Sequence, residues 1–100
     1  MIKVIWASSA INDFVRLRDF INVNSHIAAN RAALTIQEAA EELVKFPLLG
    51  KPVKNLLDYR DLFIKFGASG YILRYRVGNK TLHIVHIRHA KEIDFAKISD

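Results

Sequence analysis

Between Gly70 and His89 the sequence reads GYILRYRVGNKTLHIVHIRH, gathering Arg74, Arg76, Lys80 and Arg88 with three of the four histidines, His83, His86 and His89, and no acidic residue. Cations beside imidazoles suit phosphate chemistry. Cleaving RNA through its own 2′-hydroxyl requires a proton acceptor, a donor for the leaving oxygen and positive charge around the pentavalent phosphate. Arg74, Arg76 and Lys65 would supply the charge, and His83 or His86 would move protons. The plainer reading of any one of these residues is a solvent-facing strand position, with His83 filling a cross-strand slot. That reading explains the group less well, because like charges across neighbouring strands cost about 0.2–1 kcal/mol per pair and a neutral face mixes signs.

Other chemistries find less support. With side chains alternating along a strand, His83 and His89 point one way and His86 the other, so the three do not converge on one metal ion. The chain contains no cysteine, Gly-x-Ser-x-Gly elbow, P-loop or paired-carboxylate pattern. GASG at Gly67 to Gly70 has amides that would cradle a phosphate, but a turn between strands is the simpler use of its glycines. Neither a cofactor nor a metal is expected.

The elements that must position these residues follow from periodicity. Arg74 and Arg76 stand two apart, so a strand places both on one face, whereas a helix would separate them by about 200°. A two-residue turn at Gly78 and Asn79 would pair Val77 with Lys80, Tyr75 with Leu82, Leu73 with Ile84 and Tyr71 with His86 on an apolar face turned toward helices. The opposite face would pair Arg76 with Thr81, Arg74 with His83 and Ile72 with Val85, and Phe63 and Lys65 of RDLFIKF (Arg60 to Phe66) would extend it. The arginines are therefore expected on an uncovered sheet face, unpaired and open to an anionic partner.

Upstream, Ile2 to Trp6 reads as a short β-branched strand. Ser8 and Ser9 offer helix caps and Asp13 suits the helix dipole, with Ile11, Phe14, Val15, Leu17, Phe20 and Ile21 at helical spacing. NVNS at 22–25 breaks that run. A second helix is expected over about His26 to Phe46, with Ala29, Ala33, Ile36, Ala40 and Leu43 as its buried stripe. Pro47 ends it, and the leucine-rich connection that follows is expected to pack down. The order is β-α-α-β-β-β, an α+β fold in which a helical hairpin covers a small, mainly antiparallel sheet.

One hundred residues with 51% hydrophobic content make a single domain, residues 1–100, with one core. The absence of cysteine suits a reducing compartment, and no segment has the length and apolarity of a membrane span, so a cytoplasmic location is expected. The formal net charge is +5. Residues 1–50 hold five basic and five acidic side chains, and residues 51–100 hold ten basic against five acidic, so the surplus lies wholly in the second half. Such asymmetry points to nucleic acid, acidic protein or a membrane surface as partner. A general RNA- or DNA-binding module is one such reading, although few aromatics are interleaved with the cations.

The succession FPLLGKPV, LDYRDLFI, GYILRYRV and LHIVHIRHAKEIDF resembles the RelE/ParE superfamily of toxins from bacterial type II toxin–antitoxin modules across nearly the whole chain. The resemblance implies a helical hairpin on a small antiparallel sheet and a cognate antitoxin, often with an acidic segment, wrapped around the toxin. Members similar to RelE cleave mRNA on the ribosome and often carry an arginine after the Gly-Tyr that opens the third strand; this chain has Ile72 there. Near the C-terminus they carry a basic cluster and a tyrosine, where this chain has His89, Lys91 and Phe95. The closing HAKEIDF looks more like the ParE branch, whose members are associated with poisoning of DNA gyrase by protein contact. The resemblance therefore implies DNA gyrase as target, with the ribosome and its mRNA as the alternative. The residues expected to bind target or partner are Arg60, Phe63, Lys65, Arg74, Arg76, Arg88, His89, Lys91 and Phe95, and a nuclease would use Lys65, Arg74, Arg76, His83 and His86. No membrane partner is implied.

Overall fold

The computed structural model describes residues 2–92 and Phe95. Strand β1 (Lys3–Trp6) leads into a helical hairpin of α1 (Ser8–Asn22) and α2 (His26–Lys45), followed by β2 (Lys51–Pro52), β3 (Tyr59–Phe66), β4 (Ser69–Val77) and β5 (Thr81–His89). The five strands form one sheet in the order β1-β5-β4-β3-β2. Only β1 runs parallel to its neighbour; every other pairing is antiparallel. The α+β architecture expected from periodicity is thus present, with β2 as an additional short strand inside the 47–58 connection.

Both helices bury one stripe against the sheet. Ala10, Asp13 and Leu17 are the buried residues of α1, spaced three and four apart. Helix α2 buries Ala29, Ala32, Ile36, Ala40 and Leu43, with Ala32 taking the place expected for Ala33. Small alanines let the helices approach closely, while Tyr71, Leu73, Tyr75, Leu82, Ile84 and Ile87 fill the sheet side of the core. Trp6 meets Phe14 edge-on, ring centroids 5.9 Å apart, where β1 runs beneath the hairpin. The caps differ from expectation at α1: its N-cap is Ala7, without a side-chain hydrogen bond, and the Ser9 hydroxyl instead donates to the Val85 carbonyl at 2.6 Å. Helix α2 is capped by Ser25, whose hydroxyl oxygen accepts the Ala28 N–H.

The connection after α2 is held by hydrogen bonds and not by burial of its leucines. Leu48, Leu49, Leu56 and Leu57 are exposed, Leu57 at 85%, contrary to the expectation that they pack down. The Tyr75 hydroxyl, inside the core, donates to the Pro47 carbonyl at 2.7 Å and accepts the Gly50 N–H at 2.8 Å. Arg60 Nη1 donates to the carbonyls of Leu48 and Gly50. Gly50 permits this approach, since a Cβ there would lie 2.8 Å from the Tyr75 ring. Asn55 and Asp58 take positive φ at the tight turns that return the chain to β3.

The hairpin register departs from the one read from its turn. Val77 pairs with Leu82, Arg76 with His83 and Tyr75 with Ile84; Arg74 then pairs with His86, leaving Val85 as the extra residue of a β-bulge. The longer turn, closed by Gly78 N–H to the Thr81 carbonyl at 2.8 Å, moves the pairing by two residues. The bulge moves it by one more and reverses the parity of everything after it. His86 consequently joins His83 on the uncovered face, and His89, opposite Tyr71, lies toward the helices. The expected assignment of His86 and His89 is reversed for this one reason.

Candidate functional site

The uncovered sheet face is set by three cross-strand rows. Tyr59, Arg76 and His83 form the first, Asp61, Arg74 and His86 the second, and Phe63, Ile72 and Arg88 the third. Lys65 follows, opposite Gly70. Arg74 and Arg76 do project from the same face, as their spacing requires, but their electrostatic situations differ.

Arg74 is committed within the chain. Its Nε and Nη2 meet Asp61 Oδ1 and Oδ2 at 2.8 and 3.0 Å, a bidentate pair across β3 and β4. Both side chains are partly buried, so the pair is less screened than a fully exposed one. The expectation of an unpaired Arg74 is corrected here: with β3 beside β4, the single acid of the 60–91 segment falls directly opposite it. Arg88 is also engaged, its Nη1 donating to the carbonyls of His89, Ala90 and Glu92, the last at 2.6 Å. Phe95 lies between the two guanidinium groups, with Arg74 Cζ 4.5 Å and Arg88 Cζ 5.2 Å from its ring centroid. The His86 ring approaches the same phenyl at 5.6 Å.

His86 and His83 differ in how they are held. His86 Nδ1 lies 3.0 Å from Asp13 Oδ2, and the same carboxylate oxygen accepts the Ile87 N–H at 2.9 Å. Asp13 is 3% exposed and lies within 3.6 Å of Arg16, which reaches Glu92 at 3.1 Å. A buried carboxylate costs heavily unless it is paired and hydrogen-bonded, and Asp13 is both. Its position in the apolar stripe Ala10–Asp13–Leu17 is the sequence signal that was available for it; helix-dipole compensation was the wrong reading. His83 Nδ1, by contrast, is shut from solvent and has no hydrogen-bond partner among the described residues, so it lacks there the orienting acceptor that His86 finds in Asp13.

The remaining candidates separate. Phe63 is exposed at 57%, and with exposed Lys65 and Arg76 it makes up the accessible part of the face. Arg60 pairs opposite Tyr75, away from that face, and holds the 47–52 segment. His89 meets the edge of Tyr71 at 5.5 Å and, with Lys91, borders an apolar groove of about 720 Å³ lined by Leu17, Phe20, Ile21 and Phe66. Burial pushes the hydroxyls of Tyr71 and Tyr75 above the usual phenol range; for Tyr75 the Gly50 N–H and the Arg60 charge offset part of that rise. Among the described residues no three His, Asp or Glu side chains are grouped to hold a metal ion, and no helix is long and apolar enough to cross a membrane.

Comparison with known proteins adds sequence and fold relatives. Residues 4–94 match the family described as "ParE toxin of type II toxin-antitoxin system, parDE". "Toxin RelE2" of Caulobacter vibrioides is 36% identical over 93 residues, covering 93% of this chain and all of that protein. "Toxin RelE3" of the same organism is 36% identical over 83 residues, 83% of this chain and 88% of its own length. In fold, the chain is similar to one from the "Chromosomal ParDE TA system from P. aeruginosa", with a TM-score of 0.77 at 22% identity, over 91% of this chain and 98% of the other.

Proposed function

The chain belongs to the ParE toxin family and is the toxin of a type II toxin–antitoxin module, and from that premise we propose that its target is DNA gyrase, inhibited by protein contact. The observation that carries this reading is the internal commitment of Arg74 and Arg88. A phosphate clamp needs guanidinium groups turned to the ligand, whereas these two are held by Asp61, by backbone carbonyls and by Phe95. The accessible remainder, Arg76, Lys65 and Phe63, mixes cation and aromatic ring in the manner of protein contact surfaces. A cognate antitoxin with an acidic segment would neutralise the toxin, and its action would take place in the cytoplasm. Purified protein is expected to inhibit gyrase supercoiling or leave cleaved DNA complexes, with Arg76→Glu reducing the effect at least tenfold. Codon-positioned cuts in mRNA on translating ribosomes, lost in Arg74→Ala, would overturn the gyrase target.

One observation favours mRNA cleavage as a second reading. Asp13 fixes His86 Nδ1 as a carboxylate fixes the imidazole of a catalytic base, leaving Nε2 for proton transfer beside Arg74 and Arg88. In this reading His86→Ala abolishes ribosome-dependent cutting, while gyrase remains fully active in the presence of the wild-type toxin.

A further inference from the structure

On the helix side of the sheet, the groove of about 720 Å³ beside α1 carries polar groups that the fold itself does not use. Leu17, Phe20 and Ile21 of α1 and Phe66 of β3 make it apolar, and Tyr71, only 2% exposed, lines it with them. Its volume falls within the roughly 300–1,000 Å³ of small-molecule sites. Phe95 lies on the opposite face, over Arg74 and Arg88, so the groove is separate from the outward row of cations.

The polar groups of the lining divide into those already matched and those left over. Glu92, its one acid, is matched: Oε1 accepts the His89 N–H at 2.8 Å and Oε2 accepts from Arg16 at 3.1 Å. His89 Nδ1 accepts the Lys91 N–H at 3.1 Å, which places the proton of the neutral ring on Nε2 and makes that nitrogen a donor. Neither His89 Nε2, nor the Tyr71 hydroxyl, nor the Lys91 ammonium has a hydrogen-bond partner among the described residues. The one such atom fully shut from solvent there is His83 Nδ1, so the Tyr71 hydroxyl and His89 Nε2 remain open to a ligand. Tyr71 and His89 are cross-strand partners whose rings meet edge-on at 5.5 Å. Three donors without acceptors are thus gathered beside an apolar wall.

We propose that this groove binds a linear fatty acid, with the carboxylate accepting from Tyr71, His89 and Lys91 and the chain lying against Leu17, Phe20, Ile21 and Phe66. The head must bring acceptors, because donors are what the lining leaves over. It carries one negative charge, because Arg16 is cancelled by Glu92 and Lys91 is the cation that remains. The rest is hydrocarbon, because the walls offer it no further polar group. A hydroxyl as deeply placed as that of Tyr71 is costly to leave without a partner, and a carboxylate supplies a charge-assisted one. Leucine or isoleucine side chains of a protein segment would fill the walls and leave the three donors unanswered. A second copy of this chain packed groove to groove would set Lys91 against Lys91.

Titration of the whole chain with sodium octanoate, decanoate and dodecanoate, each below its micelle concentration, tests this by calorimetry and by NMR of the Tyr71 and His89 rings. Saturable one-to-one binding is expected, with affinity rising about tenfold for each two methylenes added. Decanol, which keeps the chain and loses the charge, is expected to bind at least fivefold more weakly than decanoate. Tyr71→Phe is expected to weaken decanoate about tenfold and Lys91→Ala about threefold, while Lys51→Ala, outside the groove, leaves it unchanged. Decanol binding as tightly as decanoate overturns the carboxylate head. Wild-type affinity in a Tyr71→Phe variant with an unchanged circular dichroism spectrum overturns the site. Absence of saturable binding overturns the proposal as a whole; ring signals that then move only on addition of antitoxin, or only as toxin concentration rises, identify a protein segment or a second copy as the occupant.

Discussion

Tyr75 shows how much of this molecule depends on one side chain. Its ring is wholly buried, yet its hydroxyl ties the core to the connection after α2, through Pro47 and Gly50. Tyr75→Phe keeps the ring and takes the hydroxyl partner from the buried Gly50 N–H and the part-buried Pro47 carbonyl, so a loss of about 1–3 kcal/mol in chemical denaturation is expected. Alkali should act through the same residue. Burial raises the Tyr75 hydroxyl above its ordinary 10.0, so the unfolded chain releases this proton first. The corresponding stabilisation is complete below pH 10 and disappears as pH rises through the higher folded-state value. Wild-type stability should therefore fall above pH 10, and the Phe variant should lose less over that interval; Tyr71, also raised by burial, accounts for the slope that remains. Asp13 is the comparable case on α1. Asp13→Ala strands the Ile87 N–H and releases His86, for an expected cost of about 2–4 kcal/mol, read as a lowered denaturation midpoint with an unchanged m-value.

At the scale of elements, the helices and the alternation of β4 were legible, because both follow from local periodicity. Leu73 and Tyr75 are inward and Arg74 and Arg76 outward, as their spacing requires. The register between β4 and β5 was not legible. It depends on the length of the turn at Gly78 and on Val85 being left out of the ladder, and neither is marked by a residue type at the bulge itself. One inserted residue was enough to exchange the faces of His86 and His89, and with them the nuclease candidates. Deleting Val85 should restore plain alternation with the pairings kept, His86 still outward opposite Arg74 and Ile87 still inward opposite Leu73. The variant loses the carbonyl that accepts from Ser9 but keeps every core side chain, so cooperative unfolding is expected to persist, measured by circular dichroism at two wavelengths. The pairing of Asp61 with Arg74 was half legible: both positions were outward by parity, but their opposition needed the β3–β4 register. Gly70 fixes a different detail of that register. A Cβ there would collide with the Ile64 carbonyl and approach Phe63 Cζ to 2.7 Å, so the phenyl ring lies over a position that only glycine fills.

At the scale of the whole molecule, the charge asymmetry read from composition survives in altered form. The second half of the chain holds the surplus cations, but Arg74, Arg88 and Arg60 satisfy carboxylate or carbonyl groups within the chain. The field available to a partner comes from exposed Lys51, Lys54, Lys65, Arg76, Lys80 and Lys91. Affinity for the antitoxin is expected to fall with salt, about tenfold between 0.1 and 1 M as the screening length contracts from about 10 to 3 Å. Isothermal titration in the two salts checks this, and a constant affinity would mean that the contact is essentially apolar.

The chain has a single tryptophan, Trp6, and the fold seats it against Phe14 in the groove under the helical hairpin. Excited on the long-wavelength side of tyrosine absorption, its intrinsic fluorescence is thus a local gauge separate from the three tyrosines of this polypeptide. With a tryptophan-free antitoxin, a segment settling into that groove would shift the emission maximum, while one confined to the far side of the sheet would leave the spectrum still. The molecule can report, without a label, which of its two flanks has been taken.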